Sequence, residues 1–378
     1  MGALKNYVYI MPILTLIGKG CLNDLGSNLK NYGVKKALIV TDTFMCKSGV
    51  SSKISEILKA QGIESAVYDG VKANPTIRVV NEGINSFLEN ECDSLISLGG
   101  GSAHDSAKAV RISLMQGGLS KLSRIVLAAV NTTAGTASEM TKYCIITDEE
   151  QHRKLAIVNV SAVPDIAVDD PELMVGMPQS LTAATGMDAL THAVEAFTAK
   201  GNNELTDCTA LRAIELIFEN LAVCCSDGNN MESREKMAYA QFMAGMAFSN
   251  AGLGLVHAMA HQLGGVYNLP HGVCNAVLLP HVMEYNMDVN YNRYSIIAKK
   301  SGVSVQGMPD KISARRLIQE IRSLSTKIGI PANLKLLNVN PDDFDKLSEM
   351  AMQDATYQAN AKIAPKEDLM RIFKNAYL

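Results

Sequence analysis

Tryptophan is absent from this chain, and the aromatic share is only 5% of 378 residues. That scarcity points to a modest apolar substrate pocket. No basic block stands out and the formal net charge is -3, which makes nucleic acid and anionic membrane poor partners. No apolar run approaches the ~20 residues that a membrane helix needs. The opening residues lack the apolar run and cleavage pattern of a secretory signal. Asn6 fails to complete a myristoylation pattern. Cys21, Cys46, Cys92, Cys144, Cys208, Cys224, Cys225 and Cys274 form no C-x-x-C pair, so a thiolate zinc site is not expected. Without a signal, they read most simply as reduced thiols in a cytoplasmic compartment. Cys274 lies near His271 in sequence, but reads as a small buried hydrophobe.

The rest is ordinary globular composition, 47% hydrophobic and 19% charged. The length suits two domains, each with its own core. The first half alternates. Tyr7–Leu16 reads as extended. Ala37–Thr41, Ser65–Tyr68, Ser94–Leu98 and Ile125–Val130 read as strands, and Val50–Ala60, Thr76–Leu88 and Ala103–Leu114 as helices. Such alternation predicts an α/β domain over residues 1–177 with a doubly wound, mostly parallel, Rossmann-like sheet. After Pro178 strand signals nearly vanish. Ser180–Thr198, Glu204–Cys224, Ser233–Ala251, Leu253–Val266 and Asp310–Ile328 carry helical spacing, so residues 178–378 are expected to form an all-α domain.

The helical half holds the chemistry. Asp188 and His192 sit four apart, as do His257 and His261, and His271 follows in a Pro-His-Gly turn. Residues four apart share a helix face. Asp188, His192, His257 and His271 can therefore close a nitrogen-and-oxygen cage around one divalent ion. Three imidazoles and a carboxylate suit iron or zinc, not calcium. His104, His152 and His281 read as packed or capping residues, and Glu195 as a capped or solvated one.

The α/β half offers a phosphate cradle. Gly99-Gly100-Gly101-Ser102 lies where a strand meets a helix, so backbone amides and the helix N-terminus can face a pyrophosphate. It is not the G-x-G-x-x-G fingerprint, and a bare tight turn is the competing reading. Asn131 to Glu139 follows the next strand with hydroxyls that can donate to phosphate or ribose, or simply cap a helix. Asp42 ends a strand where a carboxylate accepts ribose hydroxyls and repels a 2′-phosphate, favouring NAD over NADP; it suits a helix N-cap equally.

On Gly99 to Asp105, Thr132 to Glu139, Met177 to His192 and Gly252 to Pro280, the chain resembles the iron-dependent, group III alcohol dehydrogenases. That group includes 1,3-propanediol dehydrogenase and lactaldehyde reductase, and the resemblance covers nearly the whole chain. It implies a dehydroquinate synthase-like architecture: a dinucleotide-binding N-terminal domain and a helical domain holding the metal. Asp188, His192, His257 and His271 would be ligands, with Fe(II) favoured over zinc. His261 would lie near the metal and nicotinamide, relaying a proton or shaping the pocket. Asp42, Asn74, Gly100, Gly101, Ser102, Thr132, Thr133, Thr136, Thr141 and Lys154 would line the cofactor or the cleft, with Leu173 and Leu181 near nicotinamide or ribose. Two places depart from the pattern. The segment between Lys108 and Asn131 looks short, and Asp354-Ala355-Thr356 with Asn360-Ala361-Lys362 replaces the usual run on the substrate side.

The implied activity is reversible hydride transfer between a short primary alcohol or diol and NAD, in a homo-oligomer. A zinc enzyme of the glycerol dehydrogenase kind, acting on a secondary alcohol, is one rival. A dehydroquinate synthase-like lyase is another, although it should show a basic cluster near the ligand helices. A metal-storage protein leaves the glycine turn and Asp42 without a role.

Overall fold

The structure is a computed structural model that describes residues 6–118, 122–150 and 153–378. His152, expected to pack or cap, lies outside the described residues, as does part of the segment between Lys108 and Asn131. The described residues divide into two compact units, Ile10–Val175, and Gly176–Leu378 with residues 6–9.

In the first unit the elements run β1 (Leu14–Ile17), α1 (Leu25–Asn31), β2 (Lys36–Val40), α2 (Thr43–Lys47), α3 (Val50–Lys59) and β3 (Glu64–Tyr68). Then come α4 (Ile77–Glu89), β4 (Ser94–Gly99), α5 (Gly101–Gln116), β5 (Val126–Asn131), β6 (Tyr143–Asp148), β7 (Arg153–Val158) and β8 (Ile166–Asp169). A six-stranded parallel sheet has the order β1-β8-β5-β4-β2-β3. β4, β5 and β8 are buried along their whole length, as parallel strands covered on both faces must be.

Strand periodicity then sorts the side chains into two cores. Leu38, Val40, Leu95 and Leu127 pack with α4 and α5 residues such as Phe87 and Val110. Ala37, Ile39, Ile96 and Val130 pack on the opposite face with Leu25, Leu29, Ile54 and Leu58 of α1 and α3. Burying each large aliphatic side chain contributes about 1.5–3 kcal/mol relative to exposure. The sheet is doubly wound.

The strand order reverses at β2, whose successors β3 and β4 lie on opposite sides of it. Open parallel sheets leave a crevice outside the carboxyl ends of strands at such a reversal. Here those ends run into Asp42 after β2 and Gly100 after β4.

Two details differ from expectation. Of Tyr7–Leu16 only the last residues pair, with β1 beside β8. The antiparallel hairpin β6–β7, in register from Tyr143 with Val158 to Asp148 with Arg153, was not anticipated.

The second unit is helical, with no strand among its described residues. It comprises α6 (Gln179–Thr198), α7 (Glu204–Ser226), α8 (Met231–Ala251), α9 (Leu255–Tyr267) and α10 (His271–Tyr285). α11 (Met287–Lys300), α12 (Asp310–Lys327), α13 (Phe344–Met352) and α14 (Lys366–Tyr377) follow. From Met187 to Thr198 every α6 residue is buried, the mark of a central helix. It packs on α7, α8 and α10.

The expected start of α9 at Leu253 moves to Leu255, because Gly252 at φ 89° breaks the chain direction after α8. His271 was expected in a turn. It is instead the first residue of α10, behind Pro270, and α10 tolerates Pro280 within it. Among the described residues no single helix is long and apolar enough to cross a membrane.

Candidate functional site

Asp188 and His192 stand one turn apart on α6, His257 lies in the first turn of α9 and His271 opens α10. One donor atom from each lies within 4.8 Å of the others. Asp188 Oδ1 is 3.4 Å from His271 Nε2, 3.7 Å from His257 Nε2 and 3.9 Å from His192 Nε2. Donors held tetrahedrally at about 2.1 Å from one ion stand about 3.4 Å apart. The four therefore fit a divalent transition metal with slight closure.

Packing holds the rings in place. His192 stacks on Phe248 at 4.2 Å and on His257 at 4.6 Å. Asp188, His192 and His257 are buried, whereas the His271 side chain is 32% exposed, so the cage opens on that side. Gly272 permits the close approach of α10 to α6: a Cβ there would stand 2.1 Å from Ala184 O and 3.3 Å from Asp188 Cβ.

Burial would raise the Asp188 carboxyl, but the His192, His271 and His257 rings outweigh it and hold it well below the usual carboxylate range. Burial would likewise lower His257, but hydrogen bonds to Asp188 and Glu195 push it up to about 9. The centre is thus an anion ringed by imidazoles with a second carboxylate behind one of them.

That second carboxylate bears out the capping alternative for Glu195, whose Oε1 accepts from Val256 N at 2.7 Å, and rules out the solvated one. Glu195 Oε2 meets His257 Nδ1 at 2.6 Å. Asn275 was missed. Its Nδ2 donates to Asp188 Oδ1 at 2.7 Å and lies 3.0 Å from His271 Nε2 and 3.2 Å from His257 Nε2. Both had a faint signal, since Glu195 is three residues past His192 and Asn275 four past His271.

His261 is not among the four converging donors. Its ring stacks on His271 at 5.3 Å, and its Nδ1 meets Asp354 Oδ2 at 2.8 Å. Thr356, where the sequence departs from the usual pattern, donates to Asp354 through its backbone N at 2.9 Å. Cys274 is fully buried in α10. His281 is mostly buried beside Arg322. Leu181, in the first turn of α6, is 41% exposed.

In the α/β unit the glycine turn is shaped by contact. Gly99 takes φ +141°, and a Cβ on Gly100 would meet Thr133 Cγ2 at 2.9 Å. A Cβ on Gly101 would meet Thr136 Cγ2 at 3.0 Å. Thr132 N donates to Gly99 O at 3.0 Å. Thr132, Thr133 and Thr136 thus crowd the start of α5, whose first amides, those of Gly101 and Ser102, have no helical acceptor. Asn131 braces this loop, donating to Thr133 O at 2.7 Å and to Asp169 Oδ1 at 2.8 Å.

Asp42 caps α2, accepting from Met45 N at 2.9 Å. Lys154 Nζ donates to Asn74 Oδ1 at 3.1 Å. Leu173 is partly buried against one sheet face. Thr141 accepts from the fully buried Lys108, which also donates to Ser138 Oγ and Tyr143 O. Ser138 in turn donates to Asp105 Oδ1 at 2.7 Å. That network was not read from the sequence. His104 is buried beside Ser97, a packed histidine as expected.

A fold with a glycine cradle at the strand reversal, and a three-imidazole, one-carboxylate cage in its helical half, has close relatives. NAD-dependent methanol dehydrogenase of Bacillus methanolicus is 40% identical, over 97% of this chain and 99% of its own length. 1,3-Propanediol dehydrogenase of Klebsiella pneumoniae is 42% identical over 99% of each. The solved alcohol dehydrogenase from Oenococcus oeni superposes with a TM-score of 0.95, at 40% identity, over 98% of this chain and 100% of that one. Family descriptions match both halves, iron-containing alcohol dehydrogenase over residues 12–171 and its C-terminal region over 182–377. From cage, cradle and relatives together, the chain belongs to the iron-containing alcohol dehydrogenase family.

Proposed function

We propose that this alcohol dehydrogenase interconverts short primary alcohols or diols and their aldehydes with NAD, with Fe(II) held by Asp188, His192, His257 and His271. The observation that carries the reading is the donor cage: four side chains from three helices converge within 4.8 Å. The substrate class is supported by relatives named for methanol and 1,3-propanediol, and NAD by the first of those names. Bound there, a divalent metal supplies Lewis-acid polarisation of an alcohol or carbonyl oxygen, and the nicotinamide cofactor carries the hydride.

The protein's own contributions are orientation and charge. One carboxylate among three neutral imidazoles half-neutralises a divalent ion and leaves it electrophilic. The exposed side of His271 leaves a path of approach for substrate. His261, steadied by Asp354, shapes the pocket beside the cage. On the nucleotide side, the amides of Gly101 and Ser102 and the hydroxyls of Thr132, Thr133 and Thr136 would take the pyrophosphate. The pair Asn74–Lys154, with Thr141 and Leu173, would complete the cofactor surroundings within that unit. Asp42 keeps one carboxylate oxygen beyond its capping bond for the ribose hydroxyls. A cytoplasmic setting and homo-oligomerisation are proposed with this reading.

The test follows NADH absorbance while short aldehydes are added to protein stripped of metal and reloaded with Fe(II) or Zn(II). NADH loss with stoichiometric alcohol, restored by iron, is expected. Turnover with zinc and none with iron would reassign the metal. A product formed with NADH unchanged would move the chain to the lyase reading.

A further inference from the structure

Glu195 lies one turn beyond His192 and two beyond Asp188, on the α6 face that carries both. Its side chain is buried and both oxygens are engaged. Oε1 accepts from Val256 N at 2.7 Å, and Oε2 meets His257 Nδ1 at 2.6 Å. Val256 is in the first turn of α9, where backbone N–H groups lack helical acceptors. The carboxylate thus caps that helix from a neighbouring one, and its charge suits the helix's positive end.

The same contact fixes where the His257 proton sits. A carboxylate accepts and cannot donate, so Nδ1 must carry the hydrogen. When the ring is neutral, as a metal ligand must be, Nε2 on the cage side is then the nitrogen that holds the lone pair. The approach depends on Gly254, where a Cβ would stand 2.8 Å from Glu195 Oε1 and 2.8 Å from Asn360 Oδ1.

Resting on the ligand set proposed above, we propose that Glu195 is the positioning residue of the metal centre, holding His257 in the one tautomer and ring orientation that present Nε2 to the ion. Outer partners of this kind set metal affinity by about 10–100-fold. The role is separate from catalysis, because Glu195 touches neither the donors' cage-side atoms nor any reacting group.

Glu195→Gln preserves shape and removes the second acceptor. If its amide oxygen takes Val256 N–H, its NH2 faces Nδ1 and drives the proton onto Nε2, closing the ligand atom. If the amide turns over, NH2 meets the Val256 N–H instead. Chelator competition on stripped and reloaded protein, with zinc and anaerobically with iron, is expected to show affinity about 10–100-fold weaker in Glu195→Gln, with Glu195→Asp in between. Nitrogen NMR of histidine in zinc-loaded wild type is expected to show the His257 proton on Nδ1, strongly hydrogen-bonded. Wild-type affinity in Glu195→Gln, or zinc-loaded wild type with no proton on Nδ1, overturns the proposal. Should the variant fail to fold, the wild-type spectrum decides. A wild type that holds no metal overturns the ligand set and this inference together, whereas tight binding by both proteins removes Glu195 alone.

Discussion

In the Ile10–Val175 unit the candidate residues gather through the main chain: glycines at the carboxyl end of β4, amides at the start of α5, and threonines pressed onto both. In the Gly176–Leu378 unit they gather through side chains, with imidazoles and a carboxylate projected from α6, α9 and α10. The first arrangement asks for small residues and leaves little chemistry to point at. The second asks for particular donor atoms and tolerates little substitution. On the proposed reading one half approaches a ligand and the other coordinates one, and perturbing each should fail in a different measurement.

The largest effect should follow removal of a donor. Asp188→Asn takes the only anion out of the cage, and kcat/KM is expected to fall about 1000-fold or more, roughly 4 kcal/mol. Plasma emission should show metal content falling with it, while NAD binding by titration stays near normal. Metal retained at full occupancy would break the contrast.

Next comes the buried lysine of the α/β unit. Lys108→Met strands Asp105, whose carboxyl is already raised by burial. Removing one member of such a network costs about 3 kcal/mol, read as a lower denaturant midpoint with the metal site of surviving protein intact.

A third effect is set by acidity. Burial first, and then the Lys108 charge, lower His104 from 6.5 to about 3. Below pH 6.5 the unfolded chain takes up a proton that the folded chain refuses. Its stabilising share is therefore complete above 6.5 and is lost progressively as pH falls towards 3, about 2 kcal/mol by pH 5. His104→Gln should flatten that part of the stability–pH curve. An unchanged slope would remove the assignment.

The mildest probe sharpens the comparison most. Gly100→Ala sets a methyl against Thr133, and the KM for NAD is expected to rise about tenfold, near 1.4 kcal/mol, with metal content untouched. Loss of metal in that variant would mean the halves are not chemically separable.

How far the sequence disclosed these features depended on how locally each was encoded. β2, β4 and β5 are apolar on both faces and stood out as continuous runs. The hairpin β6–β7 did not, since a two-stranded ribbon buries one side only and its second strand opens on Arg153-Lys154. α10 was hidden by Pro270 and Pro280, residues that usually interrupt a helix but here sit at its cap and are tolerated inside it. Asp188, His192 and His257 announced themselves through four-residue spacing. Asp354 could not, because 93 positions separate it from His261 and only tertiary folding brings them together. Glu195 had the right spacing, but a glutamate on a helix is too common to read without knowing that its face is buried.

The absent side chain at position 272 works as a calliper. Because α10 rests there directly on the α6 backbone, the gap between His271 and Asp188 is a rigid-body dimension of two helices rather than a property of either donor. The span of the proposed cage is therefore set in part by a residue that contributes no donor to it. A single methyl at that point, 2.1 Å from Ala184 O, forces one helix to shift against the other and so alters the span of the donors while each keeps its chemical identity.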